Sequence, residues 1–153
     1  MKTQLEQYIE YRRAKSQDVG DMVCIDSTCF SRNNWTIGDF DKIVGHKEFV
    51  VNVASVGATI VGYVVIKKGK KSLLLASVAV EPGMQRNGIG RKLVASAVDI
   101  ALKNRMRSIY TSVPEVNLDA QLFFRECGYK ATGAIVEKPD SGTCYTMKFS
   151  LKE

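Results

Sequence analysis

Hydrophobic and polar positions change period several times along the chain, and each change predicts an element. Tyr8 to Arg13 reads as a short strand, and Asp18 to Phe30 carries apolar residues at Val19, Met22, Val23, Cys29 and Phe30, the spacing of a moderately amphipathic helix. Thr36 to Val44 predicts a second, shorter helix. Three runs rich in Val, Ile and Leu follow, Phe49 to Ala54, Thr59 to Lys67 and Ser72 to Glu81. Val56-Gly57 separates the first pair and Lys67-Lys68-Gly69-Lys70-Lys71 the second, so the three predict an antiparallel meander. At Gly90 to Lys103 the period becomes helical: Ile89, Leu93, Ala97, Ile100 and Ala101 share one face, Lys92, Ser96, Asp99 and Lys103 the other. A strand at Ser108 to Val113, a helix from Leu118 to Cys127 stopped by Gly128, and strands near Tyr129 to Val136 and Thr143 to Leu151 complete the series.

This order predicts an α+β fold with a mostly antiparallel sheet flanked by helices. The strand, helix, strand unit from Leu73 to Val113 places its two strands parallel and adjacent, joined by a right-handed crossover. No repeat, low-complexity tract or Pro/Gly/Ser-rich linker interrupts the chain, and Pro82, Pro114 and Pro139 fall at element boundaries, so residues 1–153 read as one domain.

Composition narrows the chemistry. The longest apolar runs fall far short of the roughly 20 residues of a membrane span, and the opening Met1-Lys2-Thr3-Gln4 is too polar for a signal peptide, so a soluble cytoplasmic protein is expected. Cys24, Cys29, Cys127 and Cys144 form no C-x-x-C pair, and His46 is the single histidine, which argues against a metal site and against a histidine-based dyad. The net charge of +6 is not drawn into one basic tail. The lysine cluster reads as a solvated hairpin turn, and Lys103, Arg105 and Arg107 complement a helix C-terminus. Nucleic acid is therefore disfavoured as a partner.

The densest chemical signal is Val78-Ala79-Val80-Glu81-Pro82-Gly83-Met84-Gln85-Arg86-Asn87-Gly88-Ile89-Gly90-Arg91, a buried strand running through a glycine turn into the best helix. The unpaired N–H groups of a helix's first turn carry partial positive charge, glycines let phosphate oxygens approach the backbone, and Arg86 and Arg91 add formal charge. Gly83 and Gly88 have the outer spacing of a Walker loop, but Ile89 and Gly90 stand where Lys and Ser/Thr belong. Reading G-x-G-x-x-G from Gly88 puts Leu93 at the third glycine, and the meander does not suit a dinucleotide fold.

The stretch Gln85-Arg86-Asn87-Gly88-Ile89-Gly90 resembles the [QR]-x-x-G-x-[GA] pyrophosphate loop of the GNAT superfamily of acetyl-CoA-dependent N-acetyltransferases. Asn117 to Tyr129 is similar to that superfamily's N-x-x-A-x-x-(F/L)-(Y/F)-x-x-x-G-(F/Y) segment, and the element order matches over nearly the whole chain. Within it, Cys29-Phe30, Trp35-Thr36 and Asp39-Phe40 resemble the RimI-like ribosomal-protein alanine acetyltransferases and their N-terminal acetyltransferase relatives. The resemblance implies an enzyme that binds acetyl-CoA between two splayed parallel strands. It implies backbone groups of Val78, Ala79 and Val80 against the acetyl and pantetheine arm, Gln85 and Arg86 to Arg91 around the pyrophosphate, and Asn117 and Phe124 beside the cofactor. It implies an acceptor that is a protein or peptide N-terminus or a small amine; no metal is expected, and monomer and homodimer both stay open.

Two positions depart from the RimI-like pattern. Phe124 stands where the resemblance expects a tyrosine general acid, and Ser112 where it expects the base. Glu115 and Glu81 are the nearest carboxylates to the implied acceptor site, and Tyr110 and Tyr145 the available phenols. A site poor in strong bases suits an α-amine, about a quarter neutral at pH 7.4, better than a lysine amine, about a thousandth neutral. The alternatives are a small-molecule amine acceptor, with Asp18, Asp21, Asp26, Asp39 and Asp41 available to line an acidic pocket, and a module that holds acyl-CoA without turnover.

Overall fold

In the computed structural model, which describes residues 8–30, 35–138 and 142–151, four strands run antiparallel in chain order: β1 (Ile9–Arg13), β2 (Phe49–Val56), β3 (Thr59–Lys68) and β4 (Ser72–Val80). β5 (Ser108–Pro114) lies parallel beside β4, and the hairpin of β6 (Lys130–Lys138) and β7 (Gly142–Ser150) completes the sheet with β7 against β5 and β6 at the edge. Helices α1 (Val19–Cys29) and α2 (Ile37–Ile43) cover one face of the sheet, and α3 (Ile89–Lys103) and α4 (Leu118–Glu126) the other. Every expected element forms, with ends that differ by a residue or two. Among the described residues no helix is long and apolar enough to cross a membrane.

Alternation in the central strands divides the apolar residues between two cores. Val50, Ala54, Val64 and Ile66 pack with Ile89, Leu93, Ala97 and Ala101 of α3. Val51, Val53, Tyr63 and Val65 pack with Val19, Met22 and Ile25 of α1 and with Phe40 and Ile43 of α2. Thr36 caps α2, its Oγ1 accepting from the Asp39 N–H at 3.1 Å while Asp39 accepts from the Thr36 N–H at 2.9 Å. The lysine-rich turn closes the β3–β4 hairpin, where the Gly69 N–H donates to the Ser72 carbonyl at 2.9 Å. One position departs from its expected face: Ser96, placed by periodicity on the polar side of α3, is half-buried and accepts from Asn52 Nδ2 at 3.1 Å. Its hydroxyl donates in turn to the Leu93 carbonyl at 2.6 Å, which makes it tolerable against the sheet. All four cysteines are free thiols.

β4 changes sides halfway along. Val65 pairs with Ser77 but Ile66 pairs with Leu75, so Ala76 is an extra residue, a bulge. One inserted residue reverses side-chain parity. Leu73 and Leu75 lie in the α3 core before it; after it Val78 and Val80 pack on that core and Ala79 on the α1 core.

Candidate active site

The bulge coincides with a parting of the sheet. β4 and β5 are paired only at Ser72, Leu73 and Leu74 with Ser108, Ile109 and Tyr110. The last tie is a side chain: Thr111 Oγ1 donates to the Leu75 carbonyl at 3.0 Å. Beyond it Ala76 to Val80 on one side, and Ser112, Val113 and Pro114 on the other, become the walls of a groove of about 840 Å³, a size suited to a bound small molecule. β5 keeps its full antiparallel ladder with β7 through Pro114 and Cys144, so β4 and β5 are each held rigidly by an outer neighbour while their inner edges separate.

Backbone directions along the free edge follow from the ladder. The Glu81 N–H donates to the Val61 carbonyl at 2.8 Å, so by alternation Ala79 and Ser77 also turn their amides toward β3, and Val78 and Val80 turn theirs into the groove. The Val80 carbonyl already accepts from Gln85 Nε2 at 3.2 Å and from Cys29 Sγ at 3.3 Å.

At the mouth of the groove the chain enters α3 through a strained turn. Gly88 caps the helix at φ 78° and Arg86 holds φ 70°, both left-handed, the second costly for a residue with a side chain. The first intrahelical bond is Lys92 N–H to the Gly88 carbonyl at 3.1 Å, which leaves the amides of Ile89, Gly90 and Arg91 without helical partners. The two glycines serve different needs. A Cβ on Gly88 meets nothing within 4 Å, so its requirement is the backbone angle. A Cβ on Gly90 stands 3.2 Å from the Phe123 ring, so its requirement is close packing of α3 on α4. Arg91 pairs with Glu126 at 3.2 Å with both side chains about half exposed, a contact weak enough to be exchanged for a phosphate.

Of the residues expected to hold cofactor, Val78, Ala79, Val80, Gln85, Arg86 and Gly88 line the groove, as do Ile89, Gly90, Arg91, Asn117 and Phe124. Asn87 is not among its lining; its amide turns back to donate to the Met84 carbonyl at 3.0 Å and shapes the turn. Asn117 does both jobs open to it, lining the groove while its Oδ1 accepts from the Ala120 N–H at 3.0 Å as the cap of α4. Phe124 is 5% exposed and edge-on to Phe123 and Tyr129, with ring centroids 5.2 and 5.3 Å away.

The expected proton-transfer groups are not gathered. Ser112 lines the groove, paired with Thr146 of β7. Glu115, Glu81 and Tyr145 are absent from its lining. Glu115 is exposed, with its N–H bound to the Thr143 carbonyl at 2.9 Å, and Tyr145 is half-buried beside Val113 and Ile135. Tyr110 lies beneath the Lys148 ammonium, 5.6 Å from its ring.

The groove is also lined by Asp26, Cys29 and Phe30 at the end of α1, by Trp35, and by Lys138 and Cys144 of the β6–β7 hairpin. Asp26 is 2% exposed. Its Oδ1 accepts from Tyr63 Oη at 2.7 Å and its Oδ2 from the Trp35 N–H at 2.8 Å. Tyr63 Oη lies 3.3 Å from Ser77 Oγ on β4. Burial pushes the Tyr63 phenol far above its ordinary range, the Ser77 hydroxyl opposes that shift and the Asp26 carboxylate adds to it, so Tyr63 stays protonated and donates to Asp26. Burial likewise pushes the Cys29 thiol up. Of the five early aspartates, only Asp26 reaches the groove among the described residues; Asp18 is bound to Arg12 and Asp39 to Thr36. The Tyr63–Ser77 contact carried no sequence signal, since it depends on strand register.

The parted parallel strands and the amide-lined turn at α3 are the frame of an acyl-transfer enzyme. A family model described as the acetyltransferase (GNAT) family matches residues 20–129, and the chain belongs to that family. Similar solved structures include Ard1 from Thermoplasma volcanium, with TM-score 0.85 and 23% identity over 95% of this chain and 99% of that one. The ribosomal-protein-S18-alanine N-acetyltransferase from Escherichia coli aligns with TM-score 0.83 and 15% identity over 95% of both chains. Arabidopsis thaliana Naa50, in complex with the bisubstrate analogue CoA-Ac-MVNAL, aligns with TM-score 0.79 and 17% identity over 94% of this chain and 99% of that one. At these identities the likeness establishes the shared fold.

Proposed function

We propose that this protein transfers an acetyl group from acetyl-CoA to a primary amine, with the α-amine of a protein or peptide N-terminus as its acceptor. The observation that carries the proposal is the parting of β4 from β5 after Leu74 and Tyr110, which exposes the backbone edge of Val78 and Val80 at the groove. A pantetheine arm has amides that can pair with such an edge as a strand does, and the donor's pyrophosphate matches the unpaired amides of α3 with Arg86 and Arg91 beside them. The residues present therefore fit acetyl-CoA. When bound, it supplies a thioester carbonyl for a neutral amine to attack.

The chain's own groups then act by position and by fixed dipoles. A groove-facing N–H from Val78 or Val80 stabilises negative charge developing on the carbonyl oxygen, preorganised by the β3–β4 ladder behind it. The ammonium of the acceptor first gives one proton to solvent. Its nitrogen forms the new C–N bond as the C–S bond breaks, and its second proton leaves with the thiolate or to water. Phe124 has no proton to give, and a coenzyme A thiolate is stable enough to depart without one. Because the groove is lined by no histidine, the amine's own neutral fraction sets the rate, which favours an α-amine. The reading is supported by proteins that share the fold, since the Escherichia coli one is named as a ribosomal-protein-S18-alanine N-acetyltransferase and Naa50 is held with the bisubstrate analogue CoA-Ac-MVNAL. A small cationic amine is the second reading, favoured by Asp26 in the groove lining.

Incubation of a peptide and amine library with acetyl-CoA, read by mass spectrometry, tests both. The expected result is a gain of one acetyl group at peptide α-amines. Acetylation confined to small polyamines or aminoglycosides selects the second reading, and no acetylation of any amine contradicts the proposal.

A further inference from the structure

Two aspartates among the described residues are buried, and their partners differ in kind. Asp18 is 4% exposed and bound by the Arg12 guanidinium at 2.7 and 2.9 Å through both oxygens. Asp26 is 2% exposed and bound only by neutral donors, the Tyr63 hydroxyl and the Trp35 amide. No ion pair to Asp26 occurs among the described residues. A carboxylate removed from water is costly without a cation, and hydrogen bonds from neutral groups offset that cost only in part. The difference between the two sites is the groove: Asp18 lies outside it, whereas Asp26 forms part of its lining.

We propose that Asp26 is the anchor for the acceptor's ammonium group, so that the substrate itself supplies the counter-charge this carboxylate lacks. The inference rests on the amine-transfer reading above and makes it more specific. An alkyl amine reaches the enzyme largely as its ammonium near neutral pH, and a groove end that held only Phe30, Trp35 and Cys29 would reject it. Tyr63 and the Trp35 N–H each occupy one oxygen of Asp26 and fix the plane of the carboxylate, leaving lone pairs for a third and a fourth donor. Tyr63 is itself steadied by Ser77 of β4, the strand whose free edge lines the same groove, so the anchor and the donor wall share one rigid support. An ammonium held there gains affinity but keeps its proton longer. The anchor therefore lowers KM for the amine and moves the pH limb of kcat upward.

The titratable groups around Asp26 are few. Tyr63 approaches from β3 and stays protonated; Cys29 lies one turn along α1, where the charges of Asp26 and Glu81 both act on its thiol; Lys138 lines the groove from the hairpin; and Asp39 of α2 is turned to its cap at Thr36. A shift in the pH limb on changing Asp26 thus reports the bound amine.

The test is steady-state kinetics of Asp26→Asn with the best peptide or amine acceptor. Asn keeps a carbonyl oxygen for the Tyr63 hydroxyl and removes the charge. The expected result is a KM for the amine raised at least tenfold, acetyl-CoA affinity by calorimetry unchanged within twofold, and a kcat limb shifted to lower pH, with Asp26→Glu recovering part of the KM. In the wild type, an acceptor analogue bearing a trimethylammonium group should inhibit competitively against the amine at least tenfold better than its uncharged tert-butyl counterpart, a readout that needs no variant to fold. Equal inhibition by the two analogues, or an unchanged amine KM in Asp26→Asn, overturns the anchor while leaving acetyl transfer intact. A collapse of kcat at unchanged KM also overturns it, because Asp26 is then a base. Failure of the wild type to acetylate any amine overturns the amine-transfer reading and the anchor with it.

Discussion

Two parts of the groove lining are built by different means. The part we propose for the donor is made of backbone: the free edge of β4, the amides at the start of α3, and a turn forced through positive φ at Arg86 and Gly88. The part we propose for the acceptor is made of side chains, Asp26, Trp35, Phe30 and Lys138, drawn from α1, from the approach to α2 and from the β6–β7 hairpin. A backbone site reads phosphate and amide geometry that every molecule of the donor shares. A side-chain site is freer to vary: Lys138 is exposed on the edge strand β6 and can be replaced without disturbing β4. Trp35, through Phe40, and Asp26 are tied to Tyr63 and so to the sheet itself.

That contrast is broken most severely at the donor end. Gly90→Val drives a branched side chain toward the Phe123 ring, now 3.2 Å from the missing Cβ, and pushes α3 away from α4 at the groove mouth. Acetyl-CoA affinity measured by calorimetry should fall by at least about a hundredfold, roughly 2.7 kcal/mol, in a variant whose circular dichroism is unchanged. Gly88→Val should weaken binding less through contact than through strain, about 1–2 kcal/mol for a non-glycine residue in the left-handed region. Affinity equal to wild type in a folded Gly90→Val would show that the turn does not hold the donor.

Phe124 lines the groove while packing on Phe123 and Tyr129. Phe124→Tyr should leave turnover within about threefold or raise it, since the hydroxyl adds a proton donor without removing a contact. A loss beyond tenfold, about 1.4 kcal/mol, would mean that the ring's packing against Phe123 and Tyr129 is what the reaction needs.

The acceptor end should respond to pH through the substrate. kcat/KM for an α-amine should rise with pH and level off near the amine's own value, about 7.7–8.0. Glu115→Gln and Glu81→Gln should change the plateau by less than about threefold, because neither side chain lines the groove. A limb that vanishes in either variant would assign that carboxylate as the base.

The smallest effect lies outside both ends and serves as their control. Arg12 holds the Asp18 carboxyl below its ordinary value, mainly through its hydrogen bonds, with help from the Lys15 N–H. A lowered native value adds stability that is present above the unfolded-state value near 4 and lost as pH falls through the native one. Asp18→Asn should therefore lower Tm by a few degrees at pH 7, converge with wild type below pH 4, and leave the KM of both substrates unchanged in thermal melts and kinetics run side by side.

The unequal legibility of the two ends has the same origin as their construction. The donor end is local in sequence: Val78 to Arg91 is one unbroken stretch, and the glycines and arginines that shape the turn are neighbours in the chain. Runs rich in Val, Ile and Leu located the central strands because both of their faces are buried, and a period of 3.6 residues located α3. The bulge at Ala76 left no mark in composition, since Leu75-Ala76-Ser77-Val78 reads as continuous strand, yet it decides which core each later residue joins. The acceptor end is non-local. Asp26 meets Tyr63 across 37 positions and Cys29 meets Val80 across 51, so nothing near Asp26 distinguished it from Asp18 or Asp21. Glu81 and Glu115 close the two parted strands but are absent from the groove lining, although the charge of Glu81 still acts on Cys29 within it.

The claim on which everything else depends is that the free edge of β4 binds the donor through its backbone. Amide hydrogen exchange followed by NMR, with and without saturating acetyl-CoA, reads that edge residue by residue. Exchange at Val78 and Val80 should slow at least tenfold on binding, while Ser77 and Ala79, already turned toward β3, change little. Slowing at Ser77 and Ala79 alone, or no change along β4 in a protein that binds acetyl-CoA, would contradict it.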